Sequence, residues 1–363
     1  MPGEHHAVFA LPDLGTGGAQ RVMLSFASAL ARRGWRVDVA VLAREATQGR
    51  VRVPQGIACV EFGMPGPRQG LGPLLRMVAD DPPDLLVSVM GYLNLALLAR
   101  RAALPRSTRV IAREANALSA TLDALPRWFP GSLAYRLLYR RADRVIAPTD
   151  QIAAEVRRVA GIAEPKLAVL PNPVDADGLR AHAATSRRHA GAGPRFVAAG
   201  RLTMQKGFER ILRALAASLP EAQATIFGEG PERAALESSA HALGIADRLA
   251  LPGFAEDLPA WIAGADAFLL PSHWEGLPNV ALEALALGTP VVAVSPAPWL
   301  DELAARAPAG AVRVVAEDGF ADALRAIAPR ATAAPFASLL PACYGEPEVH
   351  ARFAALAEET LRR

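Results

Sequence analysis

Short apolar runs alternate with amphipathic stretches along most of the chain. HAVFALP (6–12) and RVDVAVLA (36–43) are dense in Val, Ala and Leu and read as strands. Between them, GGAQRVMLSFASALARRG (17–34) sets Val22, Leu24, Phe26, Ala29 and Leu30 broadly on one side of a helix. The same rhythm predicts strands at 57–62, 84–90, 108–113 and 143–148, and helices at 70–79, 92–102, 131–141 and 150–160. Strands of continuous Val, Ile and Leu separated by helices mean a parallel sheet covered on both faces. A second cycle starts at RFVAAG (195–200). In GFERILRALAASL (207–219), Phe208, Ile211, Leu212 and Leu215 fall at i, i+3, i+4 and i+7, and ATIFG, RLALPG, AFLLPS, PVVAVS and AVRVVA add strands. Prolines and turn residues crowd KLAVLPNPVDADG (166–178), and 179–194 has no strong apolar period. The expectation is two doubly wound α/β domains, 1–178 and 195–345, with a linker at 179–194 and a final amphipathic helix over 346–363. Ligands of such sheets bind beyond the carboxyl ends of the strands. The cleft between two such domains is the expected site.

Composition narrows the class. A chain of 363 residues is too long for one ordinary compact domain, and 52% hydrophobic with 21% charged residues describes a core-forming protein. A formal net charge of +3 without a basic tail argues against a dedicated nucleic-acid binder. Cys59 and Cys343 form neither a disulfide framework nor a zinc spacing, so a reducing compartment fits. The opening MPGEHHAVFALPD lacks the features of a signal peptide, and no run of about 20 apolar residues occurs, so a cytoplasmic protein is expected. Lysine is scarce. Lys166 and Lys206 are the two, which leaves 39 − 2 = 37 arginines.

Lys206 lies in GRLTMQKGF (200–208), which follows a strand and opens a helix. A helix N-terminus offers unpaired N–H groups and partial positive charge. Arg201, with its planar fork, and Lys206, with its compact ammonium, would complete a diphosphate site there. The competing reading is a solvated loop with two surface charges. HWEGLPNVALEALALGTPVV (273–292) places Glu275 in a loop and Glu283 about one turn inside the following helix, with Pro278 in its first turn and Gly288 at its end. Carboxylates suit the vicinal hydroxyls of a ribose or hexose. Glu283 sits among Ala281, Leu282, Ala284 and Leu285, where an acid needs a partner.

Other stretches carry less. LGTGGAQR (14–21) allows close backbone approach at a helix start, but it matches neither the dinucleotide fingerprint nor a Walker loop. In GEGPERAAL (228–236), Glu229 either touches a ligand or solvates a turn. The DAD at 175–177 has no other acids near it in sequence and reads as a turn rather than a metal site. The seven histidines are scattered, and only His273 borders a motif. LPRWFPGSLAYRLLYRRADR (125–144) mixes Trp128, Phe129, Tyr135 and Tyr139 with Arg127, Arg136, Arg140, Arg141 and Arg144. That mix suits an interfacial helix drawn to anionic lipid, and equally a core-packed helix with an arginine face.

Taken together, the motifs resemble glycosyltransferase family 4, retaining enzymes of the GT-B fold with two Rossmann-like domains facing a cleft. The resemblance covers nearly the whole chain. It is strongest over 196–292, where G-R-L-x-x-Q-K-G-F, G-x-G-P and the Glu275/Glu283 pair keep the family's order and spacing. GGAQR (17–21) and NPVD (172–175) also look like the family. The resemblance implies that Arg201 and Lys206 hold the diphosphate of a nucleotide-sugar donor and that Glu283 binds the ribose. It places Glu275 against the donor sugar with backbone N–H groups of Gly276, Leu277 and Asn279 nearby, Glu229 and Phe254 near the nucleoside, and Gly17 and Gly18 on the N-terminal side of the cleft. It also sends the C-terminal helix back onto the N-terminal domain. Many members carry a histidine after a middle strand of that domain. LLVSVMGYLNLALL (85–98) and VIAREANAL (110–118) have none, and Glu114 and Asn116 are the polar candidates for its place.

The implied reaction is transfer of a hexose or N-acetylhexosamine, with UDP-sugars favoured, to a glycan or polyprenyl-linked acceptor at the inner face of the cytoplasmic membrane. Negative charge builds on the departing diphosphate. Arg201, Lys206 and helix N-termini would offset it with no metal and no cofactor. Three alternatives share the fold or the motifs: an epimerase acting on a UDP-sugar, a phosphorylase, and a non-catalytic nucleotide-sugar or membrane-surface binder. The Glu275/Glu283 pair and the lack of an obvious pyridoxal lysine disfavour the first two. The intact set of Arg201, Lys206 and both glutamates disfavours the third. A Rossmann dehydrogenase is disfavoured by the poor glycine fingerprint and by Glu45 as the only acid near the end of the second strand.

Overall fold

The computed structural model describes residues 5–15, 17–44, 49–123, 131–183, 193–217, 220–294, 298–330 and 336–362. The chain forms two compact units, Met1–Pro173 with Pro347–Arg363, and Val174–Glu346. Each is a parallel sheet with helices on both faces.

The first unit has seven strands: β1 (His6–Leu11), β2 (Arg36–Ala43), β3 (Ala58–Met64), β4 (Leu85–Val89), β5 (Arg109–Arg113), β6 (Arg144–Ala147) and β7 (Leu167–Val169). Their order is β3-β2-β1-β4-β5-β6-β7, with every pairing parallel. The chain winds outward from β1 to β3 and then returns to β4, so the switch point lies between β1 and β4. One face is covered by helices Pro67–Asp80, Gly91–Ala99, Gly131–Leu138 and Asp150–Ala160, through Leu74, Leu97, Tyr135 and Val156 among others. Helices Gly18–Ala31 and Glu346–Leu361 cover the opposite face. Phe353 of the C-terminal helix stacks on Phe26 at 4.3 Å and lies 6.2 Å from Phe9. His350 of the same helix accepts from Arg32 at Nδ1 (2.6 Å), so its Nε2–H donates to Ser25 Oγ at 2.7 Å. β7 was not expected, because three residues between a loop and a run of prolines are too few to show a period.

The second unit holds β8 (Arg195–Ala199), β9 (Gln223–Phe227), β10 (Leu249–Gly253), β11 (Ala267–Leu270), β12 (Val291–Val294) and β13 (Val312–Val315). The order β10-β9-β8-β11-β12-β13 repeats the plan, with its switch point between β8 and β11. Helices Arg233–Ala242, Leu258–Gly264, Pro298–Arg306 and Phe320–Arg325 are additions to the sequence-based expectation. They are short and bury few side chains, Leu236 and Ala240 in the first of them.

The division between units falls at Pro173/Val174, earlier than the expected linker at 179–194. Residues 176–182 form a helix capped by Asp175, whose carboxylate accepts from Gly178 N at 2.9 Å. Arg180 of that helix donates to the Ala286 and Phe336 carbonyls at 3.2 and 2.7 Å, tying it to the second unit. The acids of DAD therefore serve a helix start. Residues 184–192 of the expected linker lie outside the described residues. Among the described residues no helix is long and apolar enough to cross a membrane.

Candidate functional site

At the β8/β11 switch point of the second unit two loops are stitched together. The chain leaves β8 through Gly200 and Arg201, makes a single 3-10 turn at Met204–Lys206, and reverses at Gly207. Gly207 has φ 60°, and a Cβ there would run into the Pro271 carbonyl beyond the end of β11. Only glycine suits both demands. Gln205 bridges the loops twice: its Nε2 donates to Trp274 O at 3.1 Å, and its carbonyl accepts from His273 N at 2.9 Å. The result brings Lys206 Nζ to 2.5 Å from Glu275 Oε1, and Ser272 Oγ donates to the same oxygen at 2.8 Å. The side chains of Lys206 and Glu275 are 19% and 8% exposed, so the pair is sheltered yet reachable. Arg201 lies on the surface.

One sequence expectation needs correction. Lys206 sits on the 3-10 turn and not at the mouth of the next helix, which begins at Glu209. Glu209 occupies that helix's first turn and pairs with His273 Nε2 at 3.0 Å, so the helix brings its own acid to its positive end. Glu283 falls where expected, in the helix Asn279–Ala286, half-buried among the buried Ala281, Leu282, Ala284 and Leu285. Pro278 is the residue before that helix rather than part of its first turn, and Leu277 is buried beside it. Gly276 and Asn279 flank this stretch.

The loop after β9 packs on the loop after β8. Leu202 N donates to Glu229 O at 2.9 Å, Glu232 N donates to Leu202 O at 3.0 Å, and a side chain at Gly228 would strike the Gly200 carbonyl. Glu229 is held by Arg233 through two hydrogen bonds, 2.7 and 2.8 Å, and this fork keeps its carboxyl below the usual range. Its Oε1 lies next to Gly253, and the neighbouring Phe254 is exposed.

In the first unit Gly17 precedes the helix Gly18–Ala31 at the end of β1. Asp13, which sequence reasoning passed over, organises this loop. Its Oδ1 accepts from Gly15 N at 2.9 Å and from Gln20 Nε2 at 2.8 Å. Across the β1/β4 switch point, Met90 has φ 71°, uncommon for a side chain of that size, and opens the helix carrying Tyr92. Burial, with Asp13 nearby, raises the Tyr92 hydroxyl to about 12. The signal in the sequence was an acid directly before a glycine loop, which is too common to single out.

Glu114, at the end of β5, is enclosed at 1% exposure. Its Oε1 accepts from the Tyr139 hydroxyl and from Asn94 Nδ2 (3.4 Å), and Asn94 Oδ1 accepts from Ser88 Oγ at 2.7 Å. A Cβ on Gly91 would collide with the Tyr135 hydroxyl, with Glu114 Oε2 next beyond it. Desolvation pushes the carboxyl up to about 8, against the opposing pull of Asn94 and Arg113. Arg113 is equally buried, donates to Asn172 Oδ1 at 2.5 Å and is lowered to about 10 by desolvation. Asn172 belongs to the NPVD stretch, so that motif anchors a buried arginine. Asn116 lies just beyond the cluster in the loop. Among the described residues no three His, Cys, Asp or Glu side chains gather as a metal site requires.

Comparison with known proteins agrees with this architecture. The model described as "Glycosyltransferase Family 4" matches residues 16–177, and "Glycosyl transferases group 1" matches residues 185–328. A D-inositol 3-phosphate glycosyltransferase from Mycobacterium bovis is 31% identical over 325 residues, 80% of this chain and 67% of its own. The lipopolysaccharide core biosynthesis glycosyltransferase LpsE from Rhizobium meliloti is 30% identical over 164 residues, 45% of this chain and 46% of its own. The match spans a little under half the length of this and of other curated relatives. Among solved structures, Anabaena HepE in complex with UDP and glucose superposes with a TM-score of 0.75 at 19% identity, covering 98% of this chain and 100% of that one.

Proposed function

From membership of the group 1, family 4 glycosyltransferases, to which this chain belongs, we infer that it moves a sugar from a nucleoside diphosphate to a glycan or lipid-linked acceptor. The observation that carries this reading is the Lys206–Glu275 pair at the β8/β11 switch point. A lysine and a carboxylate that satisfy each other can exchange partners when a ligand brings both kinds of group. Lys206 passes to the diphosphate oxygens with Arg201, and Glu275, still tied to Ser272, turns to the hydroxyls of the donor sugar. Glu283 binds the ribose. Glu229 and Phe254 border the nucleoside, and the backbone at Gly276, Leu277 and Asn279 lies along the sugar. Gly17 and Gly18, at the start of the first unit's helix Gly18–Ala31, join the donor-binding set in this reading.

In the reaction the bond from anomeric carbon to phosphate breaks with oxocarbenium character, as in glycoside hydrolysis. The charge left on the diphosphate meets Lys206 and Arg201 already in place, so no metal is required. The anomeric configuration is retained. HepE, solved with UDP and glucose, supports a UDP-hexose donor, with a UDP-N-acetylhexosamine as the alternative. The lipopolysaccharide role in the name of LpsE supports a growing surface glycan as acceptor. Glu114 is enclosed by its own partners. It therefore acts by positioning the β4–helix junction rather than by touching the sugar.

The test is calorimetric titration with UDP, GDP, ADP and NAD, with and without Mg²⁺, on the natural chain and on Lys206→Ala. Metal-independent binding of UDP that the variant loses is the expected result. Binding of NAD alone would overturn the assignment.

A further inference from the structure

β3 ends the first sheet, with β2 on one side and, among the described residues, no strand on the other. Its first four residues, Ala58, Cys59, Val60 and Glu61, are all exposed, Val60 at 39%. Successive side chains of a strand point to opposite faces, so both faces are open here as well as the edge. An edge of this kind presents backbone donors and acceptors ready to pair with another strand, and natural edges are commonly blunted by lysine, proline or a bulge. β3 has neither lysine nor proline. Its irregularity, Phe62 and Gly63 set against Leu42 alone, comes after the exposed stretch. The charges beside the edge are unequal. Cys59 and Glu61 share one face, where they line an open cavity of about 490 Å³ with Arg50, Val51, Arg52 and Val53. Arg50 engages Glu61, and the exposed Arg52 is the second cation of that cavity.

We propose that a second copy of this chain pairs with this edge, β3 antiparallel to β3 about a two-fold axis at Val60. Identical strands paired in this way are related by a two-fold axis, so the contact closes as a dimer. In that register Val60 faces Val60 of the partner subunit, Cys59 faces Glu61 of the partner subunit, and Ala58 faces Phe62 of the partner subunit. On the cavity face each Glu61 then comes beside the partner subunit's Arg52. On the opposite face the valines meet each other, flanked by alanine and phenylalanine, the kind of facing pair that stabilises a sheet. The two seven-stranded sheets become one. The strip therefore complements itself in charge and in apolar surface. A foreign strand would meet the same backbone groups, but it would not repeat the Glu61–Arg52 contact twice about one axis. The expected arginine-aromatic helix offers no such match: Tyr135 and Tyr139 are buried, and Trp128 and Phe129 lie outside the described residues.

The pairing does not depend on the transferase reading, whose residues gather at the two switch points. The experiment is sedimentation equilibrium of the full chain over a series of concentrations, beside its variants. A concentration-dependent dimer is expected. Val60→Lys sets two like charges opposite each other at the axis and should raise the dissociation constant about fivefold or more. Arg52→Glu places an acid beside the partner subunit's Glu61 and should raise it roughly threefold. Val60→Cys, in a chain also carrying Cys59→Ser and Cys343→Ser, should give a disulfide-linked dimer on mild oxidation, because facing residues bring their Cβ atoms to about 4.5–5.5 Å. Arg100→Cys in the same background is exposed but off the edge, and should give none. Circular dichroism and UDP titration of each variant separate loss of pairing from loss of folding or of the donor site. A natural chain that stays monomeric at every concentration would overturn the proposal. So would a dimer that Val60→Lys leaves intact or that Val60→Cys fails to trap, because another surface would then hold it.

Discussion

Two places show how differently a charge is handled at the residue scale. Lys206 and Glu275 each meet an opposite charge at 2.5 Å, close enough to the surface for a ligand to intervene. On the proposed reading, removing the ammonium deprives the leaving diphosphate of a preorganised charge. Lys206→Ala is expected to lower turnover by roughly a hundred- to a thousandfold, about 3–4 kcal/mol in the barrier, as read from initial rates with the UDP-sugar that calorimetry selects. Glu114 faces the opposite situation. Its carboxyl is raised to about 8 by burial, so the folded chain keeps a proton that the unfolded chain releases near the ordinary carboxylate pKa. The stability this contributes is complete below that ordinary value and is lost as pH rises toward about 8. Glu114→Gln keeps the shape without the titration. Melting temperatures of the variant should therefore fall less than those of the natural chain between pH 5 and pH 8. If Glu114 positions rather than touches the sugar, kcat in Glu114→Gln stays within about tenfold, short of the loss expected when a group that stabilises the transition state is removed.

Among the elements, the C-terminal helix makes the most specific claim. Phe353 is fully buried against Phe26 and Phe9, so the last helix supplies core to the first unit from the far end of the sequence. Phe353→Ala should cost about 3–5 kcal/mol in urea unfolding, measured on the transition of that unit. The loops of the candidate site are governed instead by backbone fit. Gly207 and Gly228 stand where neighbouring carbonyls leave no room for a Cβ, and those contacts hold the β8, β9 and β11 loops together.

For the whole molecule, one plan is used twice. Both sheets begin in the middle, wind outward, return, and leave a switch point between the first and fourth strands of the unit. Charged and polar groups gather at both places: Lys206, Glu275 and Ser272 in one unit, Asp13, Gln20 and Tyr92 in the other. On the proposed reading, in which Lys206 and Arg201 take the place of a divalent ion, transfer activity is expected to persist in EDTA. An assay of sugar transfer with the chelator in excess checks this, and strong inhibition would remove the metal-free reading.

Much of this was decided along the chain. Twelve of the strands were readable because most are runs of Val, Ile, Leu or Ala, and β1, β4, β6, β8, β11 and β12 are buried almost throughout, which leaves a mark wherever the run is long enough. The spacing of Arg201, Lys206, Glu275 and Glu283 pointed to a diphosphate and hydroxyl site because glycines and helix starts punctuate those loops. Three things needed the tertiary structure. β7 and the short helices of the second unit are too brief for periodicity to show. The end of the first unit at Pro173 depends on where the 176–182 helix packs, and proline content near it does not reveal that. Lys206 and Glu275 are 69 residues apart, and the pairing follows from β8 and β11 lying side by side, a fact of strand order that no local pattern carries.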